Sequence, residues 1–394
     1  MIRRPPRSTQ SRSSAASDVY KRQALDLPKP DLVCVTSHMT YWYPGVLETI
    51  RLLKELFPGV PVWLGGIYAA LCRSHAEAMS GADWVAACRL DELPARIEAA
   101  VGFRPTNEPS WNPSRSPLSP ALDLLPQIDY VPILTGLGCP YRCPYCASSV
   151  LQPVHVKRRG DAVLEEIVRW RCDRGVRDFA FYDDALLLNA DRSLKPALVH
   201  LAREGMDVRF HTPNALHVRA LTREWCDLLF AAGFRTIRLG LETTNRRRQR
   251  EWGGKVETET FLWAVENLMR SGFTAKNIGV YLMAGLPGQT VQEVRESIEF
   301  VHAAGAQPYL SEYSPVPGTS LWKEACRVSP FDLTSEPLTH NNTFLACRRH
   351  DFTLEDLQRL KSMALEARRK LDPTKRSDAA PGSREEPLRL ELES

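Results

Sequence analysis

The chain has 394 residues, 43% of them apolar, and a formal net charge of +4. That apolar content suffices for sizeable cores in two or three domains and excludes general disorder. No apolar run approaches the ~20 residues needed to span a bilayer, and the positive excess is confined to the first 23 residues, so bulk charge gives no footprint for nucleic acid.

Residues 1–23 carry six Lys and Arg against one acidic side chain, are rich in Ser, and have no apolar period. They lack the apolar core of a secretory signal. Their Arg/Ser richness suits a transit peptide, but they also resemble translated adapter sequence, so they are set aside as a non-native or disordered leader. On that reading the natural start is missing, with part of the first domain.

Residues 24–102 alternate strand-like and helix-like segments. Strands are expected at 31–36, 60–64 and 82–87, and helices at 46–56, 76–79 and 92–101. Such alternation predicts a Rossmann-like parallel sheet. Ligands bind beyond the carboxyl ends of such strands. Gly65 and Gly66 stand at one of those ends, where a backbone without Cβ can approach a ligand or simply turn. Residues 103–129, with six prolines between Phe103 and Pro126, are expected to form an extended linker.

From residue 130 strand–helix units repeat. Strands are expected at 131–134, 179–182, 208–211, 236–241, 278–283 and 309–313, with helices at 161–171, 194–203, 223–232, 259–271 and 290–303. Thr290 and Glu293 have the spacing of a capping box. Six units over 130–320 predict a partial (β/α)6 barrel of TIM type, with its site at the carboxyl ends of the strands. A helical C-terminal extension follows at 321–373, including a helix at 352–371, and then a disordered tail at 374–394.

The first barrel strand runs directly into Cys139-Pro-Tyr-Arg-Cys143-Pro-Tyr145-Cys146. Three cysteines in CxxxCxxC spacing can aim three thiolates at one iron–sulfur cube and leave one iron without a protein ligand. A structural zinc would want four ligands, usually as two close pairs, and the other seven cysteines are scattered singly. A disulfide staple is not expected, because dispersed cysteines without a signal peptide read as reduced and cytoplasmic.

The spacing, with Tyr145 before the last cysteine, resembles the signature of the radical S-adenosylmethionine (SAM) enzymes. The resemblance implies a 4Fe-4S cluster on Cys139, Cys143 and Cys146, SAM chelated at the open iron, and reductive cleavage of SAM to a 5′-deoxyadenosyl radical. It further implies SAM contacts at successive strand ends. These are Asp183 or Asp184 for the ammonium, Asn214 and Glu242 for polar groups, and Gly285 for backbone contact with adenine. Helix capping is the alternative for the Asp pair, and an ion pair with Arg238 or Arg219 for Glu242. Residues 24–102 resemble the cobalamin-binding domain that precedes many such barrels. The usual cobalt-ligating Asp-x-His-x-x-Gly motif is absent, so cobalamin binding at Gly65 and Gly66 is left open. The implied function is a radical SAM enzyme, with cobalamin-dependent methyl transfer as one form. Rearrangement or cyclisation without cobalamin, or a non-catalytic metal-binding scaffold, are the alternatives. The implied partners are a small-molecule or natural-product substrate and an electron donor such as flavodoxin or ferredoxin.

Overall fold

The computed structural model describes residues 28–86, 92–103, 121–252 and 254–371. The expected leader and disordered tail, and residues 104–120 of the expected linker, lie outside the described residues. The described residues through Phe103 form one compact unit, and those from Ala121 to Leu371 another.

In the first unit, β1 (Val33–Ser37), β2 (Val62–Gly65) and β3 (Trp84–Val85) form a parallel sheet in that order. Helix α1 (Tyr43–Leu56) connects the first two strands, α2 (Gly66–Leu71) and α3 (Arg73–Met79) the next two, and α4 (Leu93–Val101) follows. The expected single helix before β3 is thus two short ones. The core gathers Val46 and Ile50 from α1 with Val62, Leu64 and Tyr68. Gly66 has φ +82°, and a Cβ there would lie 2.4 Å from Thr36 Oγ1 and 2.6 Å from the Ser37 carbonyl. The glycine therefore lets this unit's own first strand pack against the turn after β2. His75 Nδ1 meets the Tyr68 hydroxyl at 2.6 Å, and its ring lies edge-on to Tyr43.

The second unit is built on six parallel strands. They are β4 (Tyr130–Ile133), β7 (Asp178–Phe181), β8 (Arg209–His211), β9 (Phe234–Glu242), β10 (Ile278–Ala284) and β11 (Gln307–Glu312), paired in consecutive order. No pairing of β4 with β11 closes the sheet among the described residues. A two-stranded hairpin of β5 (Gly136–Leu137) and β6 (Val156–Lys157) stands after β4, with α5 (Ser148–Leu151) inside it. Helices α6 (Gly160–Arg174), α7 (Leu194–Arg203), α8 (Arg223–Ala231), α10 (Thr258–Arg270) and α11 (Val291–Ala303) alternate with the strands. The extra helix α9 (Arg246–Glu251) follows β9, and α12 (Trp322–Val328) and α13 (Leu354–Leu371) come last.

Alternate strand residues face the helices and are fully buried, among them Ile133, Phe179, Phe210, Leu239, Ile278, Val280 and Leu282. Phe181, Phe210 and Phe234 stack in one cluster, with centroids 5.2–5.7 Å apart. Thr222, Asn245 and Thr290 cap their helices with side-chain oxygens. At Thr290 the expected capping box is half made. The Glu293 amide reaches the Thr290 hydroxyl, but the Glu293 carboxylate turns to Arg248 Nε at 2.8 Å and Thr243 Oγ1 at 3.1 Å. A buried cation competes better for a carboxylate than a backbone amide does. The stretch expected as a separate extension packs into this unit: α13 carries Leu357, Leu360 and Ala364 into the main core.

Candidate functional site

The cysteine loop is held at both ends by the β5–β6 hairpin, in which Gly136 pairs with Lys157 and Leu137 with Val156. Inside it the Cys146 amide donates to the Cys143 carbonyl at 3.0 Å, which tightens the CxxC turn. Cys139, Cys143 and Cys146 are all half-buried and free of disulfides. Among the described residues, no three His, Cys, Asp or Glu side chains converge as ligands of a single ion. Burial pushes the Cys139 and Cys143 thiols up, and the Lys255 ammonium pulls both down. His217 Nε2 lies 3.7 Å from Cys139 Sγ, and the Tyr141 ring stacks on the imidazole at 4.9 Å. Burial and the field of Lys255 lower the His217 pKa to about 3, so its ring is neutral at ordinary pH.

Of the strand-end residues, Glu242 shares a cleft with Cys143 and Tyr145, and the others take different roles. Asp183, just past β7, is expected from the sequence to hold an ammonium or cap a helix. Its side chain is 1% exposed, and it accepts from the Thr135 amide at 2.9 Å and the Thr135 hydroxyl at 2.6 Å. Lys157 Nζ lies 3.5 Å away and donates in addition to the carbonyls of Ala185 and Leu186. Asp183 therefore ties the end of β4 to the end of β7 beneath the cysteine loop. Asp184 is exposed. Asn214 spends its amide on the Tyr182 carbonyl at 2.8 Å, leaving its side-chain oxygen as acceptor.

Glu242 ends β9 with φ +67°, and the Thr243 amide donates to the Leu241 carbonyl at 2.8 Å across it. Such a three-residue turn is rare and strained. The register against β10 also slips here, Tyr281 pairing with Gly240 and Leu282 with Glu242. A bulge of this kind re-aims a side chain. Here it brings Glu242 into a cleft lined by Cys143, Tyr145, Gln249, Trp252, Lys255 and Val256. The alternative pairing with Arg238 or Arg219 does not form. Arg219 pairs with Glu257, and Arg238 lies over the Tyr309 ring. Glu242 instead meets Lys255 Nζ at 3.7 Å and the Tyr145 hydroxyl. Burial raises its pKa, and Lys255 and Tyr145 oppose that rise. Tyr145 packs edge-on against Trp252 at 5.2 Å.

Gly285 follows β10 with φ +86°, and a Cβ there would lie 2.4 Å from Leu345 Cδ1. Its amide donates to Gln289 Oε1 at 2.8 Å. The glycine thus admits Leu345 and keeps its N–H for Gln289, so the expected backbone contact would fall to other atoms of the turn.

Lys255, Trp252, His217, Thr135 and Lys157 were not anticipated. The first two sit in the loop between α9 and α10, away from any strand end, and the paired glycines before Lys255 were the only available cue. The segment from residue 320 onward was also missed as part of the site. The Leu321 amide donates to the Pro144 carbonyl at 2.9 Å, inside the cysteine loop. Tyr145 joins Met283, Tyr313, Ala325, Leu333 and Cys347 in a second apolar cluster.

Residues 133–301 match the family model described as the radical SAM superfamily. A Pyrococcus horikoshii protein described as an uncharacterized methyltransferase is 27% identical over 217 residues, which is 52% of this chain and 46% of the relative. The chain thus spans about half the length of that curated relative. The structure of the radical SAM methyltransferase TsrM from Kitasatospora setae, with cobalamin and a 4Fe-4S cluster bound, superposes with a TM-score of 0.66 at 19% identity. That match covers 81% of this chain and 71% of TsrM. The cobalamin-dependent SAM radical enzyme OxsB, with aqua-cobalamin and SAM bound, gives 0.56 at 14% identity over 75% of this chain and 46% of that one. At these identities the likeness is one of fold. No helix among the described residues is long and apolar enough to cross a membrane.

Proposed function

With a radical SAM domain over residues 133–301 as the premise, we propose that this chain is a radical SAM enzyme acting on a small molecule or natural product. The observation that carries the reading is the placement of three free, half-buried cysteines on a loop pinned at the carboxyl ends of parallel strands. The donor set fits a 4Fe-4S cluster: Cys139, Cys143 and Cys146 would hold three irons, leaving one for SAM. When bound, the cluster supplies the electron that SAM cleavage requires. The chain's own residues orient and shield. Tyr145 and Trp252 wall the cleft with rings, and Glu242 and the Asn214 oxygen offer acceptors to an ammonium or ribose hydroxyl. Asp183 holds the floor on which the loop rests.

Methyl transfer with cobalamin is favoured over the other radical chemistries by the parallel sheet of the first unit and by the methyltransferase relatives. On that reading the loops at the carboxyl ends of β1 and β2 would face the cobalamin, with exposed Met39 and Trp42 as the apolar groups there. A cytoplasmic site and an electron donor such as flavodoxin or ferredoxin complete the reading, and nucleic acid has no place in it. The test is anaerobic reconstitution with iron, sulfide, SAM and a reductant. About four irons per chain and release of 5′-deoxyadenosine or S-adenosylhomocysteine are expected. About one zinc per chain with neither product would favour the scaffold reading instead.

A further inference from the structure

Lys255 is an ammonium facing several anionic groups. It lines the same cleft as Cys143, Tyr145 and Glu242, its side chain is 16% exposed, and its salt-bridge contact is Glu242 at 3.7 Å. That separation is longer than a hydrogen-bonded ion pair, so the carboxylate does not saturate the three donors of the ammonium. Its field reaches all three cysteines, Cys143 most strongly. The bulge and strained turn at Glu242 fix the carboxylate behind it. Holding a non-glycine residue at positive φ is costly and persists where the surroundings over-determine it.

We propose that Lys255 is the positioning cation of the cysteine loop, with Glu242 as its counter-charge, and that the two together set how readily a bound cluster accepts an electron. The proposal rests on the cluster reading above and adds a residue pair to it. Three thiolates brought together repel one another, and a buried ammonium beside them lowers that cost. Adding an electron to the cluster adds negative charge, which the ammonium favours and the carboxylate opposes. Net charge near the sulfurs is among the factors that set the potential of such clusters.

The test is a redox titration of the reconstituted full chain, without SAM, followed by electron paramagnetic resonance, with iron counted on each sample. Lys255→Met should move the midpoint potential negative and lose iron faster on gel filtration. Lys255→Arg should restore both. Glu242→Gln should move the midpoint the opposite way, positive, which mere loosening of the loop would not do. If Lys255→Met holds no iron, the positive shift in Glu242→Gln still decides. Midpoints unchanged in Glu242→Gln, or shifted alike in Glu242→Gln and Lys255→Met, overturn the proposal. Wild-type protein that binds no iron overturns the cluster reading itself, and the distinction is visible in the iron count before any titration.

Discussion

Replacing Asp183 with Ala separates a strut from a ligand contact. The carboxylate accepts two short hydrogen bonds, from the Thr135 amide and hydroxyl, in a position 1% exposed. Hydrogen bonds to a charged acceptor contribute about 1.5–3 kcal/mol each, so their loss amounts to roughly 3–6 kcal/mol. Breaking a buried ion pair costs about 3–5 kcal/mol when the surviving charge is orphaned. Lys157 is not orphaned, because the Ala185 and Leu186 carbonyls still hold it. Burial also raises the Asp183 pKa and lowers that of Lys157, so the pair itself recovers little of its desolvation cost. The Thr135 bonds therefore dominate, and the loss of stability should be about 3–6 kcal/mol. Urea unfolding of the metal-free variant, followed by circular dichroism and tryptophan fluorescence, measures it. Asp183→Asn keeps one acceptor and should fall between the variant and the wild type. A change below about 1 kcal/mol with SAM affinity lost would refute the strut and return Asp183 to the ligand.

Cys143→Ala should leave the fold intact and reduce iron after reconstitution far below the wild-type value of about four per chain, together with the nucleoside product. SAM cleavage retained by that variant would remove Cys143 from the ligand set. Gly66→Ala should destabilise the first unit by at least about 1–2 kcal/mol through its left-handed backbone alone, with more from the contact at Thr36 and Ser37; thermal melting reads it. In α13, Asp356 accepts from the Thr353 amide at 2.9 Å and from Arg359, and its pKa is lowered to about 2. A depressed folded pKa means the contribution is present above the ordinary carboxylate range and is lost as pH falls from there through about 2. Asp356→Asn should lower the melting temperature at pH 6 and flatten that acid limb, and an unchanged limb would show that the cap does not titrate with the fold.

The regular part of this architecture was legible because its signals are local. Helix α7 occupies the expected 194–203, since Leu194, Ala197, Leu198 and Leu201 fall on one face and are buried. All six barrel strands sit within two residues of expectation, because strands buried on both faces, such as β10, read as short continuous apolar runs. The site was legible only as far as the chain order of cysteine loop and strand ends. Asp183 and Glu242 differ in role through partners distant in sequence, Thr135 and Lys255, which no spacing rule connects. Residues 320–350 were missed as part of the site for another reason. They fold as short pieces, including the 3-10 turns Pro337–His340 and Asn342–Phe344, that carry no period to detect.

The bond from Leu321 to Pro144 spans nearly 180 residues of chain, with all of β7 to β11 between its ends. Chains emerge from the ribosome in order and fold domain by domain as they do so. The thiols are thus made early while one of the contacts that fixes their loop is made late. Metal loaded before residue 321 has been synthesised would meet a loop still lacking that clasp, so faithful insertion belongs after translation of this domain is complete.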